Sequence, residues 1–513
     1  MSQHTEDNKR IAKNTLILYI RTIFIMLLSL YTSRVILHAL GVEDYGINNV
    51  VGGLVSMFSV MSSSLCSAIS RFMTFGLGKG DMHKLKSIFA TSVNIQLGMA
   101  LLVLIVGSIV GYFFLNYKMS IPADRLYAAN WVLFCSLLSF AISLISVPYN
   151  SCIIAHEKMD AFAYISILET VLKLVIVYMI YISPYDKLIT YTILFLASSC
   201  LIRYIYTIYC KRHFEECQYE LKIDRDLLKE MTSFAGWNFF GNTAYMLNTQ
   251  GVNMLINVFF GVTLNAARGV AIQVQNAILQ FVNNFTTAIN PQITKSYATG
   301  DFTQLHKLIC QGAKYTYYLL LIFTIPVFVE ADTILKMWLG IVPEYTTIFL
   351  RLILISSYAT ILGNTAYTAI MATGKIQNYQ LVITLAGCLV FPLTWILYKL
   401  DFPVTSTYYI YILIYFILVF IRLYYLKKLV NLSPIVFIRT VIIKIFILSI
   451  PSFAIPFIFI QYMESSFIRV IFTCIISVAT NVILIYYLGL DKNERKFITE
   501  KIKTNLKNKS LCH

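Results

Sequence analysis

The side chains in this sequence with the most chemical potential are charges and amides set inside long apolar stretches. Arg21 lies about two turns into an apolar run, with no acidic residue within one turn. A charge at bilayer depth costs about 3 kcal/mol or more, so each one needs a reason. An unpaired guanidinium facing lipid would be costly, so Arg21 is expected to face a cavity, where paired N–H donors can hold a pyrophosphate. The competing reading is snorkelling, in which the charged head reaches the headgroups along its aliphatic stem. Arg203, Arg351, Arg439 and Arg469 lie near the ends of their apolar windows and fit snorkelling, whereas Lys173 and Lys444 lie deeper and Arg34 and Arg268 flank the outer mouth. Arg21 and Arg34 are separated by about 140° around an ideal helix, so they share one stripe only if that helix bends.

Glu169 and Lys173 are spaced i, i+4 and can pair on one helix face, which lowers the cost of both. The alternative makes Glu169 a coupling carboxylate for a proton or cation. A second chemistry follows in the later half. Asn238, Asn242, Tyr245, Thr249 and Asn253 recur on one helical face, and Gln273, Asn276, Gln280 and Asn284 do the same on the next helix. Amides left against lipid would be unsatisfied, so both stripes point to other helices or to water. Helix–helix bonding is the plain account, and binding of sugar hydroxyls is the functional one.

These residues need elements to position them, and composition says what kind. The 513-residue chain is 58% hydrophobic and 13% charged, with mean hydropathy +0.71. A soluble protein cannot hide that much apolar surface. The +16 net charge is then read as basic loops facing anionic lipid, not as a nucleic-acid surface. The ten Cys form no CxxC pair and no Cys/His cluster with zinc spacing, so neither a disulfide nor a metal is expected. No P-loop and no glycosyltransferase-type carboxylate pair stands in the sequence, so neither an enzyme nor a cofactor is expected.

Windows of about 20 apolar residues fall near 15–37, 47–69, 89–114, 127–153, 161–183 and 188–210. They resume near 233–259, 266–290, 315–331 (the weakest), 346–371, 378–398, 405–426, 434–460 and 467–490. The polar first twelve residues precede no cleavage site, so the first window is expected to be a retained helix. Counting from a cytoplasmic start, inner segments hold 27 of the 41 Lys and Arg, and outer loops hold only Lys118, Arg125, Lys187, Lys336 and Lys399. That bias predicts fourteen helices with both termini cytoplasmic.

A shift of 220 positions pairs residues 41–85 with the eighth window. Nine identities include Gly41/Gly261, Val42/Val262, Gly80/Gly300 and Asp81/Asp301. A second echo sets Ala155-His-Glu-Lys158 against Ala372-Thr-Gly-Lys375. Six helices separate the copies, so the repeats are parallel and imply a pseudo-twofold axis along the membrane normal. The expected fold is an all-α polytopic membrane protein of about fourteen transmembrane helices: two six-helix lobes plus two C-terminal helices. The boundaries follow as an N-terminal lobe at 1–215, a linker at 216–232, a C-terminal lobe at 233–430, two extra helices at 431–490 and a basic tail at 491–513.

The stretch Ser33-Arg34-Val-Ile-Leu-His-Ala-Leu40-Gly41-Val-Glu-Asp-Tyr45-Gly46, with Gly80-Asp81 and the six-plus-six-plus-two plan, resembles the Wzx-type O-antigen and capsule flippases. These belong to the multidrug/oligosaccharidyl-lipid/polysaccharide exporter superfamily, which is MATE-like. The resemblance implies a multi-pass transporter of the bacterial cytoplasmic (inner) membrane. It would move undecaprenyl-pyrophosphate-linked oligosaccharide from the inner to the outer leaflet by alternating access, for lipopolysaccharide or other surface polysaccharide. It implies H⁺ or Na⁺ as coupling ion and polysaccharide polymerase machinery as partner. The alternatives are a cation-coupled multidrug exporter of the same fold and a membrane scaffold in a polysaccharide assembly complex. On the flippase reading the substrate-binding residues are Arg21, Arg34, Lys173, Arg268, Asn238, Asn242, Asn253, Gln273, Gln280 and Asn284, with Glu169 for coupling.

Overall fold

An apolar chain in lipid must satisfy its backbone internally, and helices do this within one segment. In the computed structural model, which describes residues 3–56, 58–117, 124–218, 224–260, 262–339, 342–491, 494–496 and 499, every regular element among the described residues is helical. All fourteen apolar windows lie on helices. They are α1 (Gln3–Ser56), α2 (Ser59–Lys79), α3 (Met82–Tyr117), α4 (Leu126–Ala155), α5 (Met159–Ile182), α6 (Lys187–His213), α7 (Arg225–Phe260), α8 (Val262–Ala298) and α9 (Phe302–Val329). After a short amphipathic α10 (Ala331–Leu339), which no window announced, come α11 (Thr346–Ala372), α12 (Gln377–Lys399), α13 (Ser406–Val430), α14 (Pro434–Tyr462) and α15 (Phe467–Gly489). Eleven of these helices are long and apolar enough to span a membrane among the described residues.

Breaks fall where the backbone needs glycine. Gly41 interrupts α1 with φ 81°. Gly80 and Gly300, paired by the repeat, both adopt the left-handed conformation that ends a helix, at φ 70° and φ 75°. After Gly80, Asp81 Oδ1 accepts from the Lys84 amide at 3.0 Å and starts α3. The Gly80/Gly300 identity of the repeat thus has a conformational cause.

The chain divides into two compact units. Unit 1 holds Met1–Ala244, Thr287–Phe302 and Met371–Thr384. Its core joins α1, α3, α4, α5 and α6 around Val51, Val103, Leu133, Leu137, Ile180 and Leu188. Gly107 and Gly111 let α3 settle onto α4, since a Cβ at either would lie within 2.8 Å of Leu137 or Leu133. Leu101, Ile105 and Ile109, one helical face of α3, stay open, as a lipid-facing stripe does.

Unit 2 holds Tyr245–Thr286, Thr303–Ile370 and Leu385–His513. Buried charges tie its last helices down. Lys314 of α9 bonds Asp491 at 3.1 Å and Glu494 at 3.5 Å. Lys444, placed deep by its window, also pairs with Asp491 just past α15. Glu330 receives Arg469 at 2.8 Å and Thr473 at 2.9 Å. Arg469 therefore holds an internal partner, not a headgroup. Unit 1 thus takes in the start of α7, the end of α8 and the α11–α12 turn beside the first six helices.

Candidate transport site

In unit 1, Arg21 of α1 stacks over the Phe162 ring of α5 at 4.4 Å. Its Nε is buried without a hydrogen-bond partner. Tyr206 of α6 and Glu169 of α5 lie within its electrostatic reach. One helical turn along α5, Lys173 Nζ bonds Glu169 Oε1 at 2.7 Å, with both side chains part-exposed. The i, i+4 spacing thus gives the expected pair. Lys173 also lies 5.7 Å from the Phe195 ring centroid. The result is a cationic, aromatic patch on α1, α5 and α6 in which the Glu169 carboxylate is neutralised by Lys173. Arg203, assigned to snorkelling, instead lies over Tyr149 at 4.0 Å, with Nη1 buried and unpartnered. The side chain of Arg34 lies outside the described residues, as do those of Tyr245 and Thr249.

The amide stripe of α7 takes the plainer role in this conformation. Asn238 is fully buried; its Nδ2 donates to the Ser64 carbonyl at 3.3 Å, and its Oδ1 accepts from Gln380 at 3.4 Å. Asn242 donates to Ser64 Oγ at 3.0 Å. Both therefore bond neighbouring helices. Asn253 is half-buried.

In unit 2 the stripe of α8 divides. Asn284 is buried, while Gln273, Asn276 and Gln280 are exposed. The helix–helix bond comes from a different face, where Gln275 Nε2 donates to Ser357 Oγ at 2.7 Å. An open amide row on an apolar helix is suited to water or a hydroxyl-rich ligand. Arg268 of the same helix is buried and lies 5.8 Å from the Tyr408 ring centroid; its Nε and Nη1 have no partner.

Sequence reasoning missed an ionic cluster on unit 1. Glu157, in the α4–α5 turn, accepts from Arg10 at 2.7 Å, Lys295 at 2.7 Å and Gln292 at 2.5 Å. Its carbonyl accepts from Asn14 at 3.1 Å. The turn that echoes it, around Gly374, is gripped by Arg71, which donates to the Ala372 carbonyl at 3.1 Å. Thus the end of α8 holds the first turn and the end of α2 holds the second. Lys295 and Arg71 had counted only as loop charges. The signal was the short echo at Ala155–Lys158, which nothing in the sequence linked to a distant Lys.

No protein-family profile matches the chain. Among curated proteins it is similar to EpsK, an uncharacterized membrane protein of Bacillus subtilis (strain 168). The two are 18% identical over 337 residues, which cover 65% of this chain and 66% of that protein. The match spans just under two thirds of that relative. Solved structures resemble the chain in shape. An outward-facing multidrug resistance MATE family transporter of the MOP superfamily gives TM-score 0.72 at 12% identity, covering 83% of this chain and 96% of that one. MATE in its bent conformation gives the same values. A MOP superfamily transporter from Pyrococcus furiosus Vc1, described as having a binding pocket of reversed polarity, gives 0.69 at 12% with the same coverage. The chain is a polytopic helical membrane protein with the MATE fold.

Proposed function

We propose that the chain flips an anionic lipid-linked oligosaccharide, of the undecaprenyl-pyrophosphate class, from the inner to the outer leaflet of a bacterial cytoplasmic membrane by alternating access. The observation that carries this reading is Arg21, whose guanidinium sits on Phe162 with a buried, unpartnered Nε. A guanidinium with free donors on a flat aromatic seat is built for pyrophosphate. The open amides Gln273, Asn276 and Gln280 supply donors and acceptors for a glycan. Both termini face the cytoplasm on this reading, no chemical step is catalysed, and the polymerase machinery takes the delivered glycan. A second reading, a cation-coupled multidrug exporter, draws on the fold likeness to a multidrug resistance transporter and on Glu169 as a coupling carboxylate. The Glu169–Lys173 bond favours the first, because a cationic drug needs an unpaired acid.

Proteoliposomes carrying a fluorescent undecaprenyl-pyrophosphate oligosaccharide decide between them. Flipping that depends on the protein, with no transport of a cationic dye, is the expected result. Dye transport driven by H⁺ or Na⁺ without lipid flipping would overturn the reading.

A further inference from the structure

Cys152 and His156 stand one helical turn apart at the end of α4. The last turn of α6 carries Cys210, and the short 3₁₀ turn that follows, Glu215–Cys217, brings Glu216 and Cys217 back to the same point. His156 is oriented by stacking on Phe214, with ring centroids 4.2 Å apart. Cys152 Sγ then lies 3.4 Å from Cys217 Sγ and 3.3 Å from Glu216 Oε1. His156 Nε2 lies 2.5 Å from the same carboxylate oxygen. A tetrahedral zinc site with bonds of about 2.0–2.3 Å has ligand-to-ligand edges of about 3.3–3.8 Å. The Cys152–Glu216 edge already has that size, and the His156–Glu216 contact needs to open by less than about 1 Å.

Burial separates this cluster from ordinary packing. The three thiols are fully buried and Glu216 nearly so, while His156 keeps one edge toward solvent, giving an ion access. Buried thiols alone behave as small hydrophobes. Glu216, nearly fully buried, meets the Cys152 thiol and the His156 imidazole, with no Lys or Arg bonded to it among the described residues.

We propose that Cys152, His156 and Glu216 bind one zinc-class divalent cation, with Cys217 and Cys210 as adjacent thiols. Binding converts the Cys152 thiol to a thiolate and releases its proton, and it leaves the imidazole neutral and the carboxylate ionised. The metal clamps the end of α6 to the α4–α5 turn, immediately beside Glu157.

The full-length chain, purified in detergent and stripped with chelator, is titrated with Zn²⁺ and with Co²⁺. One metal per chain is expected, with thiolate-to-cobalt charge-transfer and tetrahedral d–d bands. His156→Gln and Cys152→Ser should each weaken binding more than about 10-fold, and Cys388→Ser should leave it unchanged. Octahedral cobalt without charge transfer in the unaltered chain, or a Cys152–Cys217 disulfide in place of metal, would overturn the site. The cobalt spectrum of the unaltered chain decides the matter even if a variant fails to fold.

Discussion

Glu157 and Gly374 adopt the same left-handed turn, at φ 60° and φ 74°, at positions that the internal repeat pairs. Glycine takes this conformation freely, whereas another residue costs roughly 1–2 kcal/mol there. A strained, buried Glu persists only where its surroundings over-determine it, and here Arg10, Lys295 and Gln292 converge on its carboxylate. The first half of the protein gives up backbone ease for an ionic anchor; the second half keeps the glycine and is gripped by Arg71.

That trade separates two variants. Glu157→Gly and Glu157→Ala both remove the carboxylate, but only glycine relieves the turn. The alanine variant should be the less stable by about 1 kcal/mol, read as a lower thermal midpoint in detergent. An alanine variant at least as stable as the glycine one would refute strain at this turn.

Arg21 should not tolerate Lys. Stacking on Phe162 and paired donors to phosphate both need a planar guanidinium. Arg21→Lys and Arg21→Ala should each lower lipid flipping by about 10-fold or more, since a charge-assisted hydrogen bond is worth roughly 1.5–3 kcal/mol. Full activity in Arg21→Lys would reduce the residue to a bulk charge.

Glu169→Gln should abolish transport while leaving expression intact if the carboxylate couples an ion. Flipping assays at matched protein levels check this, and unchanged transport would leave Glu169 as only the partner that neutralises Lys173.

In unit 2, Lys314 is nearly inaccessible and faces Asp491 and Glu494. Neutralising both acids, Asp491→Asn with Glu494→Gln, strands a buried ammonium and should cost about 3–5 kcal/mol. Adding Lys314→Met should restore most of it, and a triple variant no more stable than the double would count against the pairing.

Acid sensitivity is expected on α6. Asp186 caps that helix by accepting from the Ile189 amide at 3.0 Å and pairs with Arg125 at 2.6 Å. Burial pushes its carboxyl up, but the Arg125 guanidinium and the helix amides outweigh this and hold it below the usual range. The folded value lies below the unfolded one of about 3.9, so the stabilisation is complete above about pH 4 and disappears as pH falls through the folded value. The gap in thermal midpoint between the native chain and Asp186→Asn should be full at neutral pH and shrink in acid. A gap independent of pH would assign the residue's effect to shape alone.

Much of the architecture was legible from periodicity and charge. Apolar windows located fourteen helices because lipid forces each segment to close its own hydrogen bonds. Gly80/Gly300 was legible as a repeat because a left-handed helix end restricts residue choice. The weak window at 315–331 became the long α9, since its first turns carry His306, Lys307 and Lys314 among buried apolar neighbours. Hydropathy averages miss such a mixed face. Asn238 and Gln273 show the same limit: each read as an amide on the polar stripe of its own helix, yet one is buried against Ser64 and the other is open. Stripe periodicity gives a direction around a helix, not what stands opposite.

The sequence by itself determined that this is an all-helical membrane protein with a repeated half, because hydropathy, helix-end glycines and i, i+4 pairs such as Glu169–Lys173 are local properties. Tertiary structure alone decided that Lys295 meets Glu157 across 138 positions, and that Cys152, His156 and Glu216 converge. Those meetings depend on which helix ends pack together, and long-range packing leaves no period in the chain.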